Sequence, residues 1–208
     1  MAEPTHHDLA RRLQGLNLYL VGMMGAGKSA VGRPLADALG YRFVDADSVL
    51  EGAAGRSIAE IFASDGEAGF RQLETAVLGQ ISAWHSLVVA TGGGVVTRPE
   101  NWGHLRQGVV VWLDAPAELL LARLRQDPTE RPLLHSSDPE ARLQALLSQR
   151  LPLYEQADLR IRQSRDRPHQ VAGQVLESLP GILRQRPQPL SAAAQLEDAE
   201  GRLTQSFN

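Results

Sequence analysis

Cysteine is absent from this 208-residue chain, which excludes disulfides and thiol metal sites without identifying the compartment. No stretch approaches the roughly 18 uninterrupted apolar residues that a bilayer-spanning helix requires, so no membrane partner is expected. Charge of one sign is also scarce: a formal net charge of −3 gives no broad basic field, and nucleic acid is not an expected partner. Residues 1–16 lack the apolar run of a signal peptide and carry Glu3 and Asp8, so 1–15 read as a short polar extension and the expected location is the cytoplasm. The scarcest charged residue is lysine. Lys28 stands alone against twenty arginines, as if one position required it.

What is present suits one globular domain, with 43% apolar and 22% charged residues over a length that can bury a substantial core. Apolar runs at 16–21, 42–45, 87–91, 109–113 and 159–161 alternate with helical patterns at 28–39, 67–84, 116–125 and 168–179. Ser57 and Glu60 have capping-box spacing, opening a short helix that Gly66 stops. Asp138 followed by Pro139 starts another helix, expected to end before Pro152. Strands separated by crossover-length segments predict an α/β fold, a parallel sheet covered on both faces. A single folded domain is expected over 16–185, with a polar, Pro-interrupted loop at 126–139 and a tail without a core at 186–208.

Gly22-Met-Met-Gly-Ala-Gly27-Lys28-Ser29 matches GxxxxGK[ST] and lies between the first strand and the first helix. Glycines let successive backbone N–H groups converge on one anion, and the following helix adds its positive end. Lys28 then reaches the β- and γ-phosphates of a nucleotide, while the Ser29 hydroxyl ligates Mg²⁺. A chance match in a chain of this length is an event on the order of one in a hundred, and the lone lysine falls inside it. Guanine recognition through Asn-Lys-x-Asp is excluded, because no second lysine exists. A compact small-molecule kinase remains.

Asp45 and Asp47 close the second strand and, at i and i+2, are expected to face the phosphates together. One carboxylate could order metal-bound water and the other accept a substrate proton; the alternative is an ordinary strand end or a helix cap. Gly92-Gly93-Gly94 allows a ligand to approach bare backbone, or is simply a flexible loop. Arg71 and Arg150 lie on helices, where most arginines only solvate a face. Arg131 lies in the loop at 126–139, where a lid arginine could close over transferring phosphoryl groups.

Taken together, these blocks resemble shikimate kinase: the loop from Gly22 to Ser29, Asp45-Ala-Asp47, Gly55-Arg-Ser-Ile-Ala-Glu-Ile-Phe62, Gly66-Glu-Ala-Gly-Phe-Arg71 with Glu74, Gly92-Gly-Gly94, Arg131-Pro-Leu-Leu134, and Arg150 before Pro152-Leu-Tyr154. The resemblance implies a three-layer P-loop fold of nucleoside-monophosphate-kinase type, with a five-stranded parallel sheet, an acceptor region near 46–80 and a short lid. It implies that Gly25, Ala26, Gly27, Lys28, Ser29 and Ala30 bind ATP, with Arg131 joining from the lid. It further implies that Ser29 holds Mg²⁺ with Asp45 assisting through water, and that Asp47, Arg71, Gly93 and Arg150 hold shikimate. Lys28, Asp47 and Arg131 would carry catalysis in a monomer serving the route to chorismate and the aromatic amino acids. Ala30 departs from the threonine common in the family, but Ser29 keeps the ligand hydroxyl. The arginine that packs on adenine could be Arg123, Arg125, Arg165 or Arg167. Other readings are a gluconate or nucleoside-monophosphate kinase, or a kinase-like binding module without activity. Two guanidinium forks suit a carboxylate and favour shikimate.

Overall fold

A computed structural model describes residues 6–127, 132–134 and 138–185. Arg131 and the tail at 186–208 lie outside the described residues. Five parallel strands form one sheet: β1 (Leu18–Val21), β2 (Arg42–Asp45), β3 (Leu87–Ala90), β4 (Val109–Asp114) and β5 (Leu159–Arg162), in the order β2-β3-β1-β4-β5. Leu18 of β1 stands level with Val88 on one side and Val109 on the other. The three inner strands are apolar at nearly every position because both of their faces are covered.

Helices α1 (His6–Leu13), α2 (Lys28–Leu39), α3 (Ala46–Ala54), α4 (Ile58–Ser82), α5 (Pro99–Leu105), α6 (Ala117–Gln126), α7 (Pro139–Tyr154) and α8 (Pro168–Gln185) complete the three layers. Alternation along β1 divides the core. Leu18 and Leu20 join a cluster with Leu35, Leu39, Val175 and Leu179 from α2 and α8. Tyr19 and Val21 face a second cluster with Val77, Leu78, Ile81, Trp102 and Tyr154. Strand order reverses at β1, so the loop that leaves it opens into the crevice where such sheets bind ligands.

The capping box at Ser57 and Glu60 is formed, with Ser57 Oγ accepting from the Glu60 N–H and the Glu60 carboxylate accepting from the Ser57 N–H. Gly66, at φ 69° and ψ −176°, kinks α4 where the sequence stops one helix and starts the next. Three expectations are corrected. The helix over 139–151 continues through Pro152 to Tyr154, since a proline in the last turn forfeits a single hydrogen bond. The last helix likewise passes Pro180 and reaches Gln185. Within the polar extension, residues 6–13 form α1, which buries Leu9 and Leu13 in the core and places Arg12 Nη2 3.4 Å from the Pro180 carbonyl on α8.

Candidate active site

The loop between β1 and α2 is shaped by backbone that only glycine adopts easily. Gly22, Gly25 and Gly27 have φ of 144°, 80° and 80°, and a Cβ on Gly22 would lie 2.6 Å from the Leu113 carbonyl. Gly27 caps α2, so the positive helix end points at the space above the loop. Lys28 Nζ donates to the carbonyls of Gly22 at 2.9 Å and Met23 at 3.1 Å, which holds the ammonium over the loop. From behind, Gln163 Nε2 donates to the Ala26 carbonyl at 2.9 Å and Arg123 Nη1 to the Gly25 carbonyl at 3.2 Å.

Ser29 Oγ donates to Asp45 Oδ2 at 2.5 Å, and Asp45 Oδ1 accepts from the N–H groups of Asp47 and Ser48 at 3.1 and 3.3 Å. Asp45 is therefore the N-cap of α3. This corrects the expectation of a shared strand face: β2 ends at Asp45, and Asp47 stands in the first turn of α3. The two carboxylates still converge on one cavity, because the turn between them swings Asp47 toward the β3 loop. A Cβ on Gly92 would lie 3.0 Å from Asp47 Oδ1 and 2.5 Å from Glu74 Oε1.

Beyond Gly92 lie two buried guanidinium groups. Arg71, on α4 after the kink, donates to Glu74 at 2.7 Å and to Glu67 at 3.1 Å, and its head covers Gly94. Burial opposes its charge, but Glu74 and Glu67 outweigh that and keep it firmly protonated. Burial pushes the Glu74 carboxyl above its ordinary range, against the pull of Arg71 and Arg150. Glu74 Oε1 has no hydrogen-bond partner among the described residues. Arg150, 4% exposed on α7, donates to the Gly93 carbonyl at 3.3 Å. The Phe62 and Phe70 rings, with centroids 4.7 Å apart, make an apolar wall.

These parts line one cavity of about 750 Å³ that holds Gly25, Gly27, Lys28, Ser29 and Ala30 at one end and Asp47, Arg71, Gly93 and Arg150 at the other, with Asp45 between. Ala26 is fully buried behind the loop and does not line the cavity. Of the four arginines considered for adenine, Arg123 borders this cavity, whereas Arg125, Arg165 and Arg167 are exposed and do not line it. Glu74 and Tyr154 belong to the blocks that carry the resemblance, but their residue types alone assign them no role. Their signals were the spacings Arg71 to Glu74 and Arg150 to Tyr154, which put each pair on one helix face.

A family model described as "Shikimate kinase" matches residues 24–180. A protein named shikimate kinase from Synechococcus sp. (strain RCC307) is 60% identical over 185 residues, covering 89% of this chain and 95% of its own. One of the same name from Nostoc sp. (strain PCC 7120 / SAG 25.82 / UTEX 2576) is 54% identical over 174 residues, covering 83% and 96%. The solved structure of the Acinetobacter baumannii shikimate kinase in complex with shikimate superposes with a TM-score of 0.79 at 40% identity, over 86% of this chain and 99% of that one. A gluconokinase from Sinorhizobium meliloti 1021 shares the fold alone, at 20% identity and a TM-score of 0.53 over 84% of this chain and 94% of that one.

Proposed function

The chain belongs to the shikimate kinase family of ATP-dependent phosphotransferases, and from that premise we propose how its residues move the γ-phosphate of ATP onto the 3-hydroxyl of shikimate. The observation that carries the reading is the pairing, in one cavity, of a phosphate loop with two buried guanidinium groups beside an aspartate. ATP lies along the loop, its phosphates meeting the N-terminus of α2. Lys28 exchanges the carbonyls of Gly22 and Met23 for phosphate oxygens. At the other end, Arg71 and Arg150 grip the carboxylate of shikimate. That grip turns the ring hydroxyls toward Asp47 and the Gly93 backbone.

Asp47 accepts a hydrogen bond from the attacking hydroxyl and takes its proton as the bond to the γ-phosphorus forms. The bond from that phosphorus to the β–γ bridging oxygen breaks, ADP leaves, and shikimate 3-phosphate remains. Arg131, outside the described residues, is the proposed lid contact to the phosphates. Ser29 and Asp45 fit Mg²⁺, being hard oxygen donors side by side at the foot of the phosphate loop. Among the described residues no group of three or more His, Cys, Asp or Glu could hold a metal, so Ser29 would share the ion with ATP and water, and Asp45 would assist through that water. When bound, Mg²⁺ supplies neutralising charge on the phosphates. Arg123 is the proposed neighbour of the adenine end. The proposed enzyme is a cytoplasmic monomer; no described helix is long and apolar enough to cross a membrane.

The test offers shikimate, gluconate and AMP separately with Mg²⁺ and ATP, and measures ADP release. Turnover is expected with shikimate. Turnover with gluconate or AMP, and none with shikimate, overturns the reading.

A further inference from the structure

Tyr154 touches the site from behind without lining it. Its ring is fully buried and stacked on Trp112, with centroids 5.8 Å apart. Its hydroxyl donates to the Gly93 carbonyl at 2.5 Å, and the same oxygen accepts from Arg150 Nη1 at 3.3 Å. Both side chains also reach Met23 Sδ at 3.8 Å. Arg150 and Tyr154 thus bridge the phosphate loop, through Met23, and the acceptor loop, through Gly93. These loops meet backbone to backbone, for a Cβ on Gly93 would lie 3.2 Å from the Met24 nitrogen.

We infer that Tyr154 is a positioning residue for phosphoryl transfer: its phenol fixes the Gly93 carbonyl and keeps the Arg150 guanidinium turned toward the acceptor's carboxylate. A carbonyl offers two lone pairs. With one taken by the shorter bond from Tyr154, Arg150 is left the longer contact and keeps its other N–H groups for a ligand. Without the hydroxyl, the charge-assisted bond from Arg150 would tighten onto Gly93 and draw the cation away from the acceptor. Burial pushes the phenol up to about 12, so it remains a donor across the working range of pH.

The inference rests on Arg150 as a carboxylate ligand, and the experiment separates the two. Tyr154→Phe keeps the ring and its stack on Trp112 and loses only the hydroxyl. The KM for shikimate is expected to rise about ten-fold, the scale of one lost hydrogen bond. The KM for ATP and the unfolding temperature should stay close to the parent. A shikimate KM within about two-fold of the parent overturns the inference, as does an equal rise for both substrates or a lower unfolding temperature with unchanged kinetics. Arg150→Ala is measured alongside. If it weakens shikimate and Tyr154→Phe does not, only the positioning role fails; if Arg150→Ala leaves shikimate untouched, the acceptor-site reading falls and takes this inference with it.

Discussion

Gly94→Ala adds one methyl group and removes nothing, which makes it a sharp probe of the acceptor site. At φ −101° and ψ 1° the backbone accepts alanine without strain. The new Cβ, however, would fall on Cζ, Nη1 and Nη2 of Arg71, inside the 3.0 Å that real Cβ contacts keep. The guanidinium must move by roughly 1 Å to reach ordinary carbon–nitrogen contact. Its 2.7 Å bond to Glu74 does not survive such a shift, and neither side chain is exposed enough for water to replace it, at 9% and 5%. Truncating one partner of a buried charge pair costs about 2–5 kcal/mol, and displacement should fall at the lower end, about 2 kcal/mol or 30-fold in shikimate affinity. Calorimetric titration with each substrate, alongside thermal unfolding, reads the effect: shikimate weakened, ATP within about two-fold, unfolding a few degrees lower. Gly173→Ala in α8 is the control, because its Cβ would meet nothing within 4 Å. Parental shikimate affinity in folded Gly94→Ala would refute the placement of Arg71 in the acceptor site.

Lys28→Met should abolish turnover while leaving the unfolding temperature nearly unchanged, since the bonds from Lys28 to the Gly22 and Met23 carbonyls are exchangeable loop contacts; retained activity in a coupled ADP assay would count against the phosphate role. Asp45→Ala should lower stability by about 1 kcal/mol through loss of the α3 cap, whereas Asp45→Asn keeps an accepting oxygen and should spare it; chemical denaturation distinguishes the two. In kinetics across a magnesium titration, Asp45→Asn should need more Mg²⁺ and recover with excess. Asp47→Asn should still bind shikimate yet lose orders of magnitude in turnover at any Mg²⁺ concentration, and rescue of Asp47→Asn alone would reverse the two roles.

Features that depend on a few neighbouring residues were legible in the sequence. The phosphate loop, the capping box at Ser57 and the break at Gly66 are local devices, and each stands where the residues place it. The apolar runs of β1, β3 and β4 were readable because strands buried on both faces have no polar alternation to confuse them. Asp47 was misplaced because the strand-to-helix switch depends on Asp45 capturing two backbone N–H groups, and Asp45-Ala-Asp47 alone permits both continuations. The helices pass Pro152 and Pro180 because tertiary packing outweighs a single missing hydrogen bond. Leu9 and Leu13 are too sparse a pattern to announce α1; the faces of α8 and α2 give them a place. Tyr154 could not be connected to Gly93 without the fold that brings α7 beneath the β3 loop.

The pairing of α1 with α8 means that the polypeptide enters and leaves the described body along the same flank. Neither helix supplies a residue to the cavity lining. Within the described residues the two helices meet much as a clasp closes a bracelet: lifting α1 uncovers Leu9, Leu13 and the face of α8 it packs on. Fraying of α1 would therefore strip one neighbour from α8 while α2 and β5 still hold it, and the loss would stay remote from the residues that line the cavity.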